Sequence, residues 1–245
     1  MARVLVPLPD RDFDPTEAAV PWKVLTEAGH GVVFATEGGE KAACDPLLIT
    51  GVLFGQLGAK EEPRRFYAEM ARAPAFATPI RWEAIDPGAF DALVLPGGHA
   101  AGMRQYLANE VLHAKVAAFA RTGRPMAAIC HGVLVLARAK DPKTKRSPLF
   151  GRRTTCLPKY MERTAYCLTA WKLGRYYRTY PAYVEDEVKA ALEDPSHFAR
   201  GPFELTRHGT AADDRAAFVV EDEGYVSARW PRDAYLFARK LLERL

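Results

Sequence analysis

The sequence lacks a long hydrophobic run. Its apolar stretches fall well short of the roughly 18 residues that a membrane-spanning helix needs. The first residues, MARVLVP, show neither the apolar core nor the cleavage site of a signal peptide. We therefore expect no membrane association, and we predict a cytoplasmic protein.

Cysteine is scarce, and its spacing is uninformative. The chain has four cysteines, and Cys44, Cys130, Cys156 and Cys167 form no C-x-x-C pair. In a chain without an export signal, this argues against a disulfide framework. The six histidines, at positions 30, 99, 113, 131, 197 and 208, lack the paired spacing of a metal site. We expect reduced thiols, no metal and no cofactor.

A large excess of positive or negative charge is also missing. The net charge is +4 over 245 residues, and the densest basic cluster, residues 140–146, is typical of a solvated loop. Nucleic-acid binding requires a basic face together with a stacking or groove-reading element, and neither is visible. With 49% hydrophobic and 26% charged residues, the composition is that of an ordinary globular protein.

Strands and helices alternate along the chain. The strand–helix–strand opening, with Thr16 as the expected helix cap, implies a parallel sheet with right-handed crossovers. We predict one α/β domain over residues 1–245, with helices on both faces of the sheet and insertions at about 38–80 and 156–183. Predicted strands cover about 3–8, 31–36, 91–95, 124–129, 151–156, 216–220 and 225–228; predicted helices cover about 16–28, 63–73, 109–121, 133–139, 158–170, 184–192 and 231–245.

The segment from Ala127 to Gly132 predicts a reactive thiol. An apolar strand ends at Ile129, and Cys130 stands at the turn into an apolar helix. This layout is a nucleophile elbow with Cys in place of Ser. Backbone N–H groups at a helix start favour the thiolate form. The alternative is a buried structural cysteine, since free Cys is among the most buried residue types.

Loops after neighbouring parallel strands share one edge of the sheet, where ligands bind. They bring Glu17, the run Gly97-Gly98-His99 and His131 towards Cys130. Glu17 is a candidate acid beside the sulfur, and His131 is a candidate base and acid. The backbone N–H groups of Gly98 and His131 are candidate oxyanion donors, and Gly97 and His99 are candidate pocket residues.

Each of these residues also has a structural interpretation. Glu17 complements a helix dipole, and Gly97-Gly98 ends a strand. His131, as the neighbour of Cys130, would not face it on a helix. His99 is a turn residue, a second proton carrier or a metal ligand. An aromatic belt walls the pocket or belongs to the core or a dimer surface; its members are Tyr160, Tyr166, Trp171, Tyr176, Tyr177, Tyr180 and Tyr183.

Three ordered motifs resemble one family. They are Glu17 with Pro21, the run Leu93 to His99, and the run Ala128 to Gly132. In order and surroundings they are similar to the ThiJ/PfpI family of the class I glutamine amidotransferase-like superfamily. The Cys-His-Gly tripeptide resembles the branch of PfpI proteases and glyoxalase/chaperone members.

The resemblance implies a flavodoxin-like, doubly wound, mostly parallel sheet, usually in a homodimer. It also implies a Cys130 nucleophile with Glu17 as acidic partner and Gly98 and His131 as oxyanion-hole donors. No His-x-Glu tripeptide follows Cys130, so the glutaminase triad of true amidotransferases is not expected. The carboxylate that would orient His131 is Glu162, Asp186, Glu187 or a residue of a second subunit.

These features lead to one main functional prediction and two alternatives. The main prediction is a cysteine-dependent enzyme, independent of any cofactor, that hydrates or hydrolyses a small electrophilic carbonyl or amide in the manner of a glyoxalase or deglycase. One alternative is a stress-related holdase chaperone or redox sensor. The other is a PfpI-like cysteine peptidase or amidohydrolase. Fold and family alone do not fix the substrate.

Overall fold

A seven-stranded sheet forms the centre of the molecule in a computed structural model, which describes residues 1–53, 56–204 and 209–245. The strands of the described residues, of which β2 and β4 form a separate small sheet, are β1 (Arg3–Pro7), β2 (Arg11–Phe13), β3 (Gly31–Thr36), β4 (Ala43–Cys44), β5 (Ile80–Arg81), β6 (Ala92–Leu95), β7 (Met126–Ile129), β8 (Val219–Asp222) and β9 (Tyr225–Ala228). The helices are α1 (Pro15–Glu27), α2 (Pro46–Thr50), α3 (Glu61–Met70), α4 (Pro74–Ala77), α5 (Met103–Ala108), α6 (Glu110–Ala120), α7 (Val133–Arg138), α8 (Lys159–Leu173), α9 (Val184–Ala191) and α10 (Ala234–Leu242).

The sheet is mostly parallel. Its strand order is β5-β3-β1-β6-β7-β9-β8, and only the β8–β9 pair is antiparallel. Every residue of β6 and β7 is buried, which explains why these strands are uninterrupted apolar runs. Glu223 and Gly224, both at positive φ, form the tight turn between β8 and β9. The predicted flavodoxin-like α/β fold is confirmed.

Strand order also explains why both faces of the sheet are covered. The chain crosses from β1 to β3 in one direction and from β6 through β7 to β9 in the other. Right-handed crossovers that run in opposite directions place their helices on opposite faces. Accordingly α1 packs with α3 and α10, whereas α7 packs with α5, α6 and α9. The direction reverses between β1 and β6, and ligands bind at such a switch point in open α/β sheets.

Several local predictions need correction. Asp14, not Thr16, caps α1, because the Asp14 carboxylate accepts the N–H groups of Thr16 and Glu17. The predicted strand at 151–156 is wrong: only Thr154 forms an isolated bridge, with Phe198. The predicted strand at 216–220 begins later, at Val219. Strands β2 and β4, which pair in a separate small sheet, were not predicted.

The two predicted insertions contain ordered elements. Segment 38–80 supplies β4, α2, α3, α4 and the start of the edge strand β5, apart from residues 54 and 55, which lie outside the described residues. Segment 156–183 consists of α8 and a loop without helix or strand. That these segments are insertions in a single domain stays a prediction.

The length and polarity of the helices bear on the prediction about membranes. Among the described residues, none of the helices combines the length and the apolar character needed to cross a bilayer. The cytoplasmic location stays a prediction.

Candidate active site

Cys130 stands where β7 turns sharply into a helix. Its φ is +57°, a left-handed conformation that costs a non-glycine residue roughly 1–2 kcal/mol. A single 3-10 turn, Cys130–Gly132, leads directly into α7. Gly132 is required there, because a Cβ atom would lie 2.1 Å from the carbonyl oxygen of Leu95. The chain therefore has the strand–turn–helix layout of a nucleophile elbow at this point.

Glu17 reaches the elbow from the first turn of α1. Asp14 fixes the start of this helix: its Oδ1 accepts the N–H groups of Thr16 at 2.7 Å and Glu17 at 3.2 Å. Pro21 follows within the helix and cannot donate to the Glu17 carbonyl. The Glu17 side chain is 0% exposed, and its Oε2 accepts the Gly97 N–H at 2.8 Å.

The Glu17 carboxyl interacts with the Cys130 side chain. Oε1 is buried and has no hydrogen-bond partner of ordinary geometry within the described residues. Burial raises the pKa of Glu17, and the nearby Cys130 thiol partly offsets that rise. Burial likewise raises the pKa of Cys130, and the nearby Glu17 carboxyl adds to the rise. The carboxyl and the sulfur are thus adjacent.

His131 turns back towards the sulfur. Its Nδ1 lies 3.4 Å from Cys130 Sγ, and the residue is 1% exposed. Adjacent residues of a regular helix point in different directions. The left-handed conformation of Cys130 breaks that regularity, so both side chains reach the same space. The structure therefore brings Cys130, Glu17 and His131 together.

The thiolate form of Cys130 stays a prediction, and the burial of the residue opposes it. Burial raises the pKa of Cys130 well above its usual value, and the charges of Glu17 and Asp14 raise it further. The backbone N–H of His131 lowers the pKa, but less than burial raises it. The helix start was expected to dominate. Desolvation outweighs it, because the thiol is only 4% exposed.

The surrounding groups also favour their neutral forms. Burial raises the pKa of Glu17 well above its usual value, and the charge of Asp14 adds to this rise. Burial raises the pKa of Asp14 to about 7, despite the two backbone N–H groups that lower it. Burial lowers the pKa of His131 and that of His99 to about 3 each. Burial therefore favours the thiol, the carboxylic acid and the neutral imidazole over their charged forms.

The predicted pocket residues Gly97, Gly98 and His99 lie next to Glu17 and His131. A Cβ atom on Gly97 would lie 2.7 Å from the backbone nitrogen of His131, so glycine is required. The Gly97 N–H is bonded to Glu17, and the next residue, Gly98, has a φ of +151°. His99 stacks on Tyr177 with ring centroids 4.3 Å apart, and its Nε2 is buried without a partner within the described residues.

The three carboxylates proposed to orient His131 are bonded elsewhere. Glu162 accepts the Val184 N–H and faces Arg178. Two further ion pairs join Asp186 to Lys159 and Glu187 to Arg138. The prediction that one of them orients His131 is not supported by these contacts. A carboxylate from a second subunit, and with it the homodimer, stays a prediction.

Sequence analysis missed two residues near the site. Asp14 was recognisable, because Asp followed by Pro15 is a common helix start. Asp45, followed by Pro46, has the same pattern and caps α2, but its place near Asp14 and Tyr176 follows from the tertiary structure. Of the predicted aromatic belt, Tyr176 and Tyr177 contact His99, whereas Trp171 is 71% exposed.

The described part of the chain contains no cluster of side chains suited to binding a metal ion. No group of three or more His, Cys, Asp or Glu side chains comes together there in a metal-binding arrangement. His208, one of the histidines considered in the sequence, lies outside the described residues.

Comparison with known proteins gives the family. A family model described as ThiJ/PfpI family-like matches residues 8–202. The chain belongs to this family. The deglycase of Pyrococcus abyssi is 26% identical over 243 residues, which are 99% of each protein. The deglycase of Pyrococcus horikoshii is 24% identical, over 96% of this chain and 94% of that protein.

A solved structure extends the comparison to the fold. Glyoxalase III of Candida albicans superposes with a TM-score of 0.69 at 17% identity, over 100% of this chain and 97% of that one. The family prediction is confirmed, and the shared architecture covers the whole of this chain.

Proposed function

We propose that the protein is a cofactor-independent enzyme that acts on a small electrophilic carbonyl through Cys130. The observation that carries the proposal is the elbow itself, where Cys130 Sγ lies 3.4 Å from His131 Nδ1 and beside Glu17. The full-length similarity to two proteins named deglycase supports the same class of chemistry. The simplest substrate of this class is a 2-oxoaldehyde such as methylglyoxal.

The first step adds the thiol across the carbonyl. Cys130 Sγ forms a bond to the aldehyde carbon while its proton passes to neutral Nδ1 of His131. The protonated Glu17 carboxyl gives its proton to the carbonyl oxygen, and the product is a hemithioacetal. The backbone N–H groups of Gly98 and His131 hold the developing negative charge on that oxygen.

The second step moves hydrogen within the adduct. The Glu17 carboxylate takes the proton from the former aldehyde carbon, while protonated His131 gives its proton to the neighbouring carbonyl oxygen, and an enediol forms. Glu17 then protonates the neighbouring carbon, and His131 takes the hydroxyl proton from the former aldehyde oxygen, which leaves a thioester on Cys130. Water cleaves the thioester: Glu17 takes a proton from the water, His131 returns its proton to the sulfur, and the hydroxy acid leaves. The sum is one substrate plus one water, so no external oxidant or reductant is needed.

The test is turnover of methylglyoxal to lactate by the wild type, two site variants and one control variant. We expect the wild type to be active, and Cys130→Ser and Glu17→Gln to lose at least about 100-fold in kcat/KM, the usual contribution of a nucleophile or proton carrier. Glu27→Gln, at an exposed position of the same helix, serves as the matched control and should behave like the wild type. Equal turnover by wild type, Cys130→Ser and Glu17→Gln would refute the proposal.

A second candidate function rests on the outer face of α8. Leu168 and Trp171, three residues apart, are 65% and 71% exposed. Exposed apolar surface of this kind suits a holdase that binds unfolded chains. Suppression of client aggregation that survives Cys130→Ala but is lost in a Leu168→Ser, Trp171→Ser double variant would favour it. The 4% exposure of Cys130 gives less support to a peptidase or a direct redox sensor.

A further inference from the structure

The loop between α8 and α9, residues 174–183, lies against the candidate active site. The ring of Tyr177 stacks on His99, and the ring of Tyr176 meets His99 edge-on at 4.6 Å. The Thr179 hydroxyl donates to the His99 carbonyl. His99 in turn is near enough to His131 for its charge to lower the pKa of that residue. The loop thus covers the strand-end segment beside Cys130. We call residues 174–183 the tyrosine loop.

The tip of the tyrosine loop is fastened across the site. The Tyr176 hydroxyl donates to Asp45 Oδ2 at 2.5 Å. Asp45 belongs to a different part of the chain, where its Oδ1 caps α2 by accepting the Leu47 N–H at 2.9 Å. On the other side, Arg104 Nε donates to the Thr179 carbonyl at 3.0 Å. The bond between Tyr176 and Asp45 therefore joins two segments, 131 residues apart, and the Tyr176 ring also contacts His99.

The tyrosine loop differs from the strands and the helix that carry the site residues, because it has no regular secondary structure. The remaining walls are β1, β6, β7 and α1, whose buried residues form the core. The tyrosine loop has no helix or strand, and it begins at Gly174, whose φ is +55° and whose Cα faces open space. The substrate must reach a sulfur that is 4% exposed, so some wall must move.

We infer that the tyrosine loop is a lid, that the Tyr176–Asp45 hydrogen bond is its latch, and that Tyr177 limits the size of the substrate. The size limit rests on the proposed function; the lid and its latch do not. In the closed state the lid keeps bulk water away from the reacting sulfur, and water enters when the lid opens.

Access to the sulfur can be measured without turnover. The probe is iodoacetamide, and the readout is the rate of alkylation of the Cys130 peptide by mass spectrometry. All proteins carry Cys167→Ser, because Cys167 is exposed whereas the other cysteines are buried. Tyr176→Phe removes only the latch hydroxyl. Tyr166→Phe, on α8, is the matched control.

We expect Tyr176→Phe to raise the alkylation rate of Cys130 about tenfold, which corresponds to about 1.4 kcal/mol for the lost hydrogen bond. Asp45→Asn, which leaves a neutral acceptor in place of the carboxylate, should give a smaller increase. Opening of a lid multiplies the rate by the same factor at every pH, whereas a change in the pKa of Cys130 would shift the pH profile. Equal rates for Tyr176→Phe and Tyr166→Phe, or a shifted profile alone, would overturn the latch.

The size limit has a separate test. For Tyr177→Ala, we expect the ratio of kcat/KM for phenylglyoxal to that for methylglyoxal to rise about tenfold, since one large ring is removed from the wall. An unchanged ratio in a variant that retains the wild-type thermal unfolding midpoint would overturn the role of Tyr177. If the wild type turns over neither aldehyde, the proposed function and with it the size limit fail, while alkylation still decides whether the lid exists.

Discussion

Replacing Asp14 by Asn should make the protein more stable at neutral pH. Asp14 is 4% exposed, and burial raises its pKa from 3.8 to about 7. The folded protein therefore keeps a proton that the unfolded chain loses as the pH rises above 3.8. Stability from this group is fully present below pH 3.8 and is lost as the pH rises towards 7. At about 1.4 kcal/mol per pH unit, the loss reaches about 4 kcal/mol.

Asn removes this dependence and keeps the cap. Its amide oxygen can accept the same N–H groups of Thr16 and Glu17 that Asp14 Oδ1 accepts. The free energy of unfolding of Asp14→Asn minus that of the wild type should therefore grow between pH 4 and pH 7 by up to about 4 kcal/mol. Urea unfolding followed by tryptophan fluorescence at fixed ionic strength measures this difference.

The matched control is a second capping aspartate at the surface. Asp86 accepts the Gly88 N–H at 2.9 Å and is exposed. Asp86→Asn changes the same functional group without the burial, so its difference from the wild type should vary little over this pH range. A difference for Asp14→Asn that stays constant from pH 4 to pH 7 would refute the reasoning that burial keeps Asp14 protonated.

Three further substitutions test the packing of the chain. Gly132→Ala would place a Cβ atom 2.1 Å from the Leu95 carbonyl oxygen, so we expect a loss of at least about 3 kcal/mol, seen in urea unfolding; a stable variant would contradict the close approach. Cys130→Gly should be about 1 kcal/mol more stable than Cys130→Ala, because the φ of +57° favours glycine; the opposite order in thermal unfolding would argue against that conformation. Arg229 and Asp233 pair at 2.9 Å with both side chains 0% exposed. Asp233→Asn should therefore lower the free energy of unfolding, measured by calorimetry, by about 3–5 kcal/mol, because it leaves the Arg229 charge buried without an ionic partner. A loss below about 1 kcal/mol would contradict this reasoning.

The local pattern of residues determined most of the fold. Uninterrupted apolar runs between glycine- and proline-rich turns placed the central strands, and the predicted strand from Gly31 to Thr36 matches the observed one. The run 151–156 misled because β-branched residues such as Thr154 and Thr155 also suit an extended loop. Short-range propensity does not reveal whether a partner strand is available, and only the isolated bridge from Thr154 is present.

The sequence by itself determined which side chains would meet. Cys130 and His131 follow β7, and Glu17 lies in the helix that follows β1 and β2. Because β1 and β7 are parallel strands of one sheet, they end at the same edge. Only the tertiary structure decided their protonation and access. Desolvation depends on every segment packed above a group, including the tyrosine loop more than 40 residues further along the chain. A motif fixes neighbours along the chain, whereas burial is a property of the whole fold, and burial raises the pKa of this thiol.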